Sequence, residues 1–580
     1  MTDMEHVRHS LAHLLAAAVL KKFPKAKLGI GPVIENGFYY DFKLPRTLTP
    51  EDLNEFEITI RELIKRGLRF SGKKITKTQA KKLFKEQPFK LELIEEFSKE
   101  KKELKVYKTG DVFLDLCRGG HVKNTKEINP DGLKLDKIAG AYWRGSEKNP
   151  QLQRIYGLAF ETKPELNEYF KLQEEAKRRD HREIGKRQKL FAFNDLVGTG
   201  LPMWLPNGTV IKEEIENFAK EMECKANYLR VSTPHIAKEE LFKMSGHLPY
   251  YADSMFPPMK LDDGNYYLKA MNCPMHHLLY KSEPRSYRDL PLRLAEYGTV
   301  YRNELSGTLA GLLRVRMLSM NDAHIYCRED QIEDEFKRVL ALTLDYFKVF
   351  GLTKYWFRLS LWDPKNKSKY INEPKNWKES EEKLRRSLEH LNVKFVEAKN
   401  EAAFYGPKVD VQYKSSIGRE ETMSTIQLDF AAKKRFDLTY HDQNGQINNQ
   451  VFVIHRAPLS THERFMAFLI EHYAGAFPLW LSPIQVRIIP VGRAHRPYAY
   501  ELSKRFEEHG IRIELTHEHE TVGKGIREGE LHKIPYLIVV GDREVTSHTV
   551  SMRQRSVKEV ATMPFDKFLE KIVKEKKERK

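Results

Sequence analysis

Hydrophobic and polar positions change rhythm along the chain and divide it into three stretches with a charged connector. The first, to about residue 160, combines an N-terminal helical run with short strand-like segments such as Asn36-Gly37-Phe38-Tyr39-Tyr40-Asp41-Phe42. Residues 166–187 are highly charged and free of proline, which predicts a solvated linker helix. Residues 190–482 alternate long helical patterns with strongly alternating strands. From 483 the pattern shifts again. Residues 484–490 read as a strand, 498–509 as a helix ended by Gly510, and 511–515 as a second strand. After another helical stretch, the apolar run 536–540 between Pro535 and Gly541 suits a strand buried on both faces. Strands alternating with helices predict a small α/β domain with a largely parallel sheet. The charge run 571–580 reads as a frayed, solvated helix end. The expected domains are 1–163, a linker helix 164–189, 190–482 and 483–580.

Composition narrows the classes. At 580 residues the chain outgrows a single core. With 99 Lys and Arg against 81 acidic residues, its net charge of +18 favours a polyanionic partner. Four cysteines, Cys117, Cys224, Cys273 and Cys327, cannot form a disulfide framework for this length, which suits a reducing compartment. The apolar run 11–20 is a poor leader core: His13 interrupts it, Asp3 and Glu5 precede it, and Lys21-Lys22 follow. No stretch reaches the ~20 apolar residues of a membrane span. The expectation is a cytoplasmic protein with no membrane association.

Chemistry concentrates at 296–327. Tyr301-Arg302-Asn303-Glu304, a glycine-containing loop and Arg314-Val315-Arg316 predict two antiparallel strands joined by a long loop, with arginines near both strand ends. Arginine suits bidentate phosphate contact and stays charged at physiological pH. Arg464 opens the apolar helix that follows His462-Glu463, where a cation opposes the helix dipole. Singly, such arginines are more often surface salt-bridge partners. Together, Arg302-x-Glu304 and Glu463-Arg464 resemble motifs 2 and 3 of class II aminoacyl-tRNA synthetases. The helix 210–224 with Tyr228-Leu229-Arg230-Val231-Ser232-Thr233-Pro234 resembles motif 1. The resemblance implies an α+β multidomain fold with a six-stranded antiparallel catalytic sheet flanked by helices, and a homodimer through motif 1. It implies Arg302 on the ATP α-phosphate, Glu304 on the adenine amino group, and Arg314 and Arg464 on the outer phosphates. Mg²⁺ would accompany ATP as a carboxylate attacks the α-phosphorus and pyrophosphate leaves.

Three further segments address the amino acid: Lys269-Ala270-Met271-Asn272-Cys273-Pro274, Asn321-Asp322-Ala323-His324 and Val453-Ile454-His455-Arg456. Their Cys and His residues lie 51 and 131 residues apart, so spacing carries no metal signal, and Cys273-x-x-His276 is the obvious local pair. A buried thiol among core histidines is the alternative. The segments closely resemble the zinc-binding stretches of threonyl-tRNA synthetases. That implies Zn²⁺ on Cys273, His324 and His455, with a position left for substrate. Threonine chelates through amino and hydroxyl groups, whereas isosteric valine lacks the oxygen; a site built on that hydroxyl rejects its absence by ~10⁴ or more. Asp322 would receive the hydroxyl, with Met271 and Tyr405 lining the pocket. His247 in Ser245-Gly246-His247 and Lys408 in Tyr405-Gly406-Pro407-Lys408 would assist transfer to tRNA(Thr).

Serine escapes that filter, because losing a methyl costs only ~1–3 kcal/mol, so hydrolytic editing is expected. His9-Ser10-Leu11-Ala12-His13 puts two imidazoles on one helix face, and Asp115-Leu116-Cys117-Arg118-Gly119-Gly120-His121 adds a Cys and a His. Read from residues alone, the four form a tetrahedral zinc set. They resemble the editing domain shared by threonyl and alanyl synthetases, which in threonyl enzymes works without metal. The resemblance implies that His9, His13, Cys117 and His121 position a water and the terminal ribose of seryl-tRNA(Thr), helped by Asp115, Lys90 and Tyr40. The C-terminal domain resembles an anticodon-binding module, with Glu544 and Arg553 at base-reading positions.

The match has departures. Most bacterial members begin with a ubiquitin-like module, expected to be absent here, and their pattern has Phe, Gln, Gln, Gly and Trp where this chain has Leu318, Met320, Thr422, Ser460 and Leu248. Losing the aromatic at 318 removes a stacking face for adenine. A class II paralogue that adenylates without charging tRNA, and a non-catalytic RNA-binding protein, are the competing readings.

Overall fold

Asp3 accepts the Glu5 N–H at 3.0 Å and caps the first helix, Met4–Lys22, while Lys21 and Lys22 occupy its last turn, where cations complement the helix dipole. The computed structural model describes residues 3–366, 368–415 and 420–580. By contacts the chain separates into two units, Met1–Glu174 and Glu175–Lys580.

In the first unit the apolar run of that helix is buried from Ser10 to Val19, packed with Phe38, Tyr40, Phe42 and Ile155 as core. Lys27–Leu28, Gly37–Lys43, Gln151–Ala159 and Leu133–Tyr142 pair antiparallel in that order. A three-stranded sheet of Phe70–Lys74, Lys105–Thr109 and Phe113–Leu116 ends one residue before Cys117. The single linker helix expected from composition is two helices, Lys163–Arg179 and His181–Arg187. At Asp180 the side chain accepts the Arg182 N–H at 2.8 Å and starts a new helix instead of continuing the old one.

The second unit is built on an eight-stranded sheet. Its middle strands, Leu292–Tyr301, Met317–Cys327, Phe452–Ala457, Glu420–Asp429, Lys408–Lys414 and Tyr355–Leu361, are antiparallel in that order. The implied six-stranded sheet is thus present but carries a parallel strand at each edge, Leu229–Arg230 and Phe395–Lys399. The latter returns through the helix Pro374–His390, the crossover a parallel pair requires. The helices Pro206–Lys225 and Ile332–Val349 contribute Ile215, Phe218, Phe336 and Val339 to the core around this sheet.

The C-terminal sheet is mixed. Ile513–Leu515, Val486–Pro490 and Tyr536–Val540 are parallel, but Thr549–Gln554 and Val560–Pro564 run antiparallel. Only the short helix Asp542–Ser547 links the third strand to the fourth, too little chain for a crossover. The tail also differs from expectation: the helix Phe565–Lys577 is buried at Phe568 and Ile572, and Arg579 pairs with Glu221 and lies 4.7 Å over the Phe218 ring. The apolar positions of this run close the domain core, and among its charged ones Glu575 accepts from the Tyr536 hydroxyl at 2.7 Å.

Candidate functional site

Sheet register assembles the main site. Across one face of the central sheet, Lys408 lies opposite Gln427, Gln427 opposite His455, and His455 opposite His324. Opposed residues share a face. Cys273, at the start of the helix Cys273–Lys281, completes a buried set with His324 and His455 whose ligand atoms lie within 4.8 Å of one another. Burial pushes the Cys273 thiol well up and, with His455 and His276 nearby, keeps the His324 imidazole neutral. Neutral imidazoles are ready ligands, and a thiol in this setting needs a cation to become thiolate. His455 Nε2 donates to Asp429 at 3.2 Å. Burial opposes the charge on Asp429, yet that hydrogen bond prevails and holds its carboxyl below the usual range.

These three residues line a cavity of about 400 Å³ with Met271, Asp322, Tyr405, Gln427 and Arg302. Tyr405 stacks on His455 at 4.9 Å and donates to the Gln427 carbonyl; Asn272 donates to Asp322 at 3.0 Å. A second cavity of about 430 Å³ is lined by Arg302, Glu304, Arg314, Arg464, Lys408 and the departing residues Leu318, Met320, Thr422 and Ser460. Arg302, Met320 and Gln427 belong to both. Arg302 Nε is buried with no protein partner among the described residues, a donor left for something else. Glu304 and Arg314 meet each other at 2.8 Å. Lys408 is held by Asp410 at 2.8 Å. His247 lies outside both linings, buried beside Phe404; its Nδ1 meets Ser245 Oγ at 2.8 Å, and burial with nearby Arg435 lowers it to about 4.

Sequence reasoning missed Gln427 and Asp429. Polar residues at alternate positions of an otherwise apolar strand, Thr425-x-Gln427-x-Asp429, were the available signal.

In the first unit His9, His13, Cys117 and His121 form a second cluster within 4.8 Å. Cys117 Sγ lies 3.4 Å from His9 Nε2 and 3.2 Å from His121 Nε2, and the His9 and His121 rings stack at 4.1 Å. Burial raises the Cys117 thiol to about 11 and depresses His9, His13 and His121, so all four are neutral near pH 7. A buried Lys90–Asp115 ion pair at 2.6 Å and a Tyr40–Asp115 hydrogen bond at 2.5 Å brace one wall. The cavity here is about 460 Å³, and His9, His13, Cys117, Tyr40, Lys90 and Asp115 all line it.

In the C-terminal sheet Arg553 is exposed on its strand. Glu544 caps its own helix through the Gly541 N–H at 2.9 Å and accepts from Ser551 at 2.6 Å.

Residues 258–473 match the family described as the tRNA synthetase class II core domain (G, H, P, S and T). Residues 485–575 match an anticodon-binding domain, and 104–156 the threonyl and alanyl tRNA synthetase second additional domain. The chain is 47% identical over 569 residues to a threonine–tRNA ligase of Geobacillus kaustophilus, covering 98% of this chain and 86% of that one. It is 48% identical over 575 residues to one from Anoxybacillus flavithermus, covering 99% and 89%. Among solved structures it resembles the RNA-binding domain of a threonyl-tRNA synthetase from Cryptosporidium parvum. There the TM-score is 0.65 and the identity 32%, over 68% of this chain and 98% of that one.

Proposed function

The chain belongs to the threonine–tRNA ligase family, class II synthetases that use ATP with Mg²⁺ to charge tRNA, and from that premise we propose how its residues divide the work. The observation that carries the reading is the pair of adjoining cavities meeting at the unpartnered Arg302. Threonine occupies the one with Met271, Asp322 and Tyr405, and ATP the one with Glu304, Arg314 and Arg464. Arg302 then faces the α-phosphate where the two substrates meet, a position that stabilises charge as it develops. The Glu304–Arg314 pair opens so that the carboxylate receives the adenine amino group and the guanidinium the outer phosphates. His247 and Lys408 assist transfer to the ribose.

Cys273, His324 and His455 fit Zn²⁺ by donor type, burial and mutual distance. When bound, the ion supplies a Lewis-acid site for the amino and hydroxyl groups of threonine. The residues His9, His13, Cys117 and His121 act as a metal-free editing site: neutral imidazoles and a neutral thiol position a hydrolytic water, while Lys90, Asp115 and Tyr40 hold the wall. Glu544 and Arg553 read the anticodon. Domain limits of 1–163, 164–189, 190–482 and 483–580 accommodate the three matched segments. The motif 1 region pairs two copies, a role supported by the solvent exposure of its apolar Leu229 (56%). No helix among the described residues is long and apolar enough to cross a membrane, and we place the enzyme in the cytoplasm.

The test is amino-acid-dependent ATP–pyrophosphate exchange with threonine, serine, valine and alanine, with zinc measured on the same sample. Strong exchange with threonine, weaker with serine and none with valine supports the reading; equal exchange with valine sinks it. In Cys273→Ala, zinc should fall from about one per chain to none. A zinc that survives this change lies in the N-terminal cluster and overturns the metal-free assignment.

A further inference from the structure

His276, the residue that sequence spacing offered as a partner to Cys273, is not in the ligand set, yet it is fully buried beside it. Its Nδ1 lies 2.8 Å from His324 Nδ1, and its Nε2 lies 3.1 Å from Glu296 Oε2. Glu296 is itself buried and fixed. Its Oε1 accepts the Thr233 N–H at 2.8 Å, and its Oε2 accepts the Thr233 hydroxyl at 2.9 Å. That hydroxyl in turn accepts from the fully buried Lys269 at 2.8 Å, so its proton points at the carboxylate.

Between neutral imidazoles, each hydrogen bond in this chain has one permitted direction. Glu296 is surrounded by donors and acts only as acceptor. His276 therefore carries its proton on Nε2 and turns a lone pair on Nδ1 toward His324. His324 must then carry its proton on Nδ1, which leaves its Nε2 lone pair free.

We propose that Glu296 and His276 are positioning residues for the metal: they lock His324 in the tautomer that presents Nε2 as ligand. This rests on the zinc reading given above. The general logic is that the second nitrogen of a ligating histidine is held by an acceptor, and that losing such a partner weakens metal binding by ~10–100-fold. Here the acceptor is another histidine, oriented by an acid on the neighbouring strand.

Two substitutions break the relay differently. His276→Phe keeps a ring and removes both nitrogens. Glu296→Gln is nearly isosteric, but the Thr233 N–H requires the amide oxygen at the Oε1 position, so the amide NH₂ faces His276. That reverses the relay and drives His324 to protonate the wrong nitrogen. His276→Asn is the conservative variant, because its side-chain oxygen sits near the place of Nδ1 and still accepts from His324.

Zinc affinity of the full-length protein, measured by competition with a chromogenic chelator, reads the outcome, with circular dichroism and thermal melting checking the fold. His276→Phe and Glu296→Gln should bind zinc ~10–100-fold more weakly than the parent, and His276→Asn should recover most of the loss. A purely structural role for His276 would not give that rescue. Should His276→Phe fail to fold, Glu296→Gln alone decides. Parent-like zinc affinity in a folded Glu296→Gln protein overturns the relay while leaving the zinc site standing. A parent protein that binds no zinc overturns the metal reading itself, and the relay with it.

Discussion

Ser460 occupies a left-handed backbone conformation, φ +53, where the family pattern places glycine. A side chain there costs ~1–2 kcal/mol, and glycine returns ~0.5–1 kcal/mol of that through its freer unfolded chain. Ser460→Gly should leave stability unchanged or raise it by up to about 1 kcal/mol, read from denaturant unfolding; a clear loss would mean the serine makes a needed contact. Three residues on, Glu463 accepts the Ser319 N–H at 3.0 Å, and burial raises it to about 7. An acid with a raised folded pKa holds its proton in the folded state after the unfolded chain has lost it. The associated stability is therefore complete below pH 4.5 and is lost as pH rises through 7. It amounts to on the order of 3 kcal/mol. Glu463→Gln should flatten the stability profile between pH 5 and 8, and an unchanged slope would exclude this carboxyl as its source. At this scale the residue types were readable in short motifs, and Arg302, Asp322, His324 and His455, all named from them, line the cavities of the second unit. It could not show that Glu304 and Arg314 pair with each other, because that contact depends on how the loop between them folds back.

At the scale of elements, His181 ties three together. Its Nε2 accepts the Leu312 N–H at 3.1 Å and its Nδ1 donates to Glu471 at 2.8 Å. The connector helix His181–Arg187, the loop carrying Arg314 and the helix His462–Tyr473 carrying Arg464 are thus joined at one buried side chain. His181→Ala leaves that N–H unpaired at a cost of ~1–3 kcal/mol. It should raise KM for ATP more than KM for threonine in pyrophosphate exchange; equal shifts would point to general loosening instead. Gly311→Ala should be harsher, since the new Cβ would lie 2.3 Å from His181 Nε2 at a residue with φ +53. Element types were largely legible from periodicity, as with the two strands flanking the 302–316 loop. Breaks and edges were not. The interruption at Asp180 turns on one capping side chain, and the parallel edge strands turn on which crossover the chain takes.

For the whole molecule, the net charge of +18 makes tRNA binding an electrostatic matter. Raising salt from about 50 to 200 mM should weaken tRNA binding by well over tenfold, while exchange with threonine and ATP changes little; a salt-insensitive tRNA affinity would contradict a phosphate-driven interface. The same charge run that suggested a loose tail instead closes the C-terminal core, with Arg579 packed on Phe218 of the helix Pro206–Lys225. By itself, the sequence determined which segments become helix or strand, since that depends on local periodicity and capping. It also determined the family, through residues clustered in short motifs. Only the tertiary structure decided which of those residues meet. Cys273, His324 and His455 come within 4.8 Å because strand pairing sets His324 opposite His455 and brings a helix start beside them. Register is a long-range choice made by burying one face of a sheet, and it leaves no spacing in the sequence to read. For the same reason His276, the nearest candidate by spacing, stands behind His324 and outside the set.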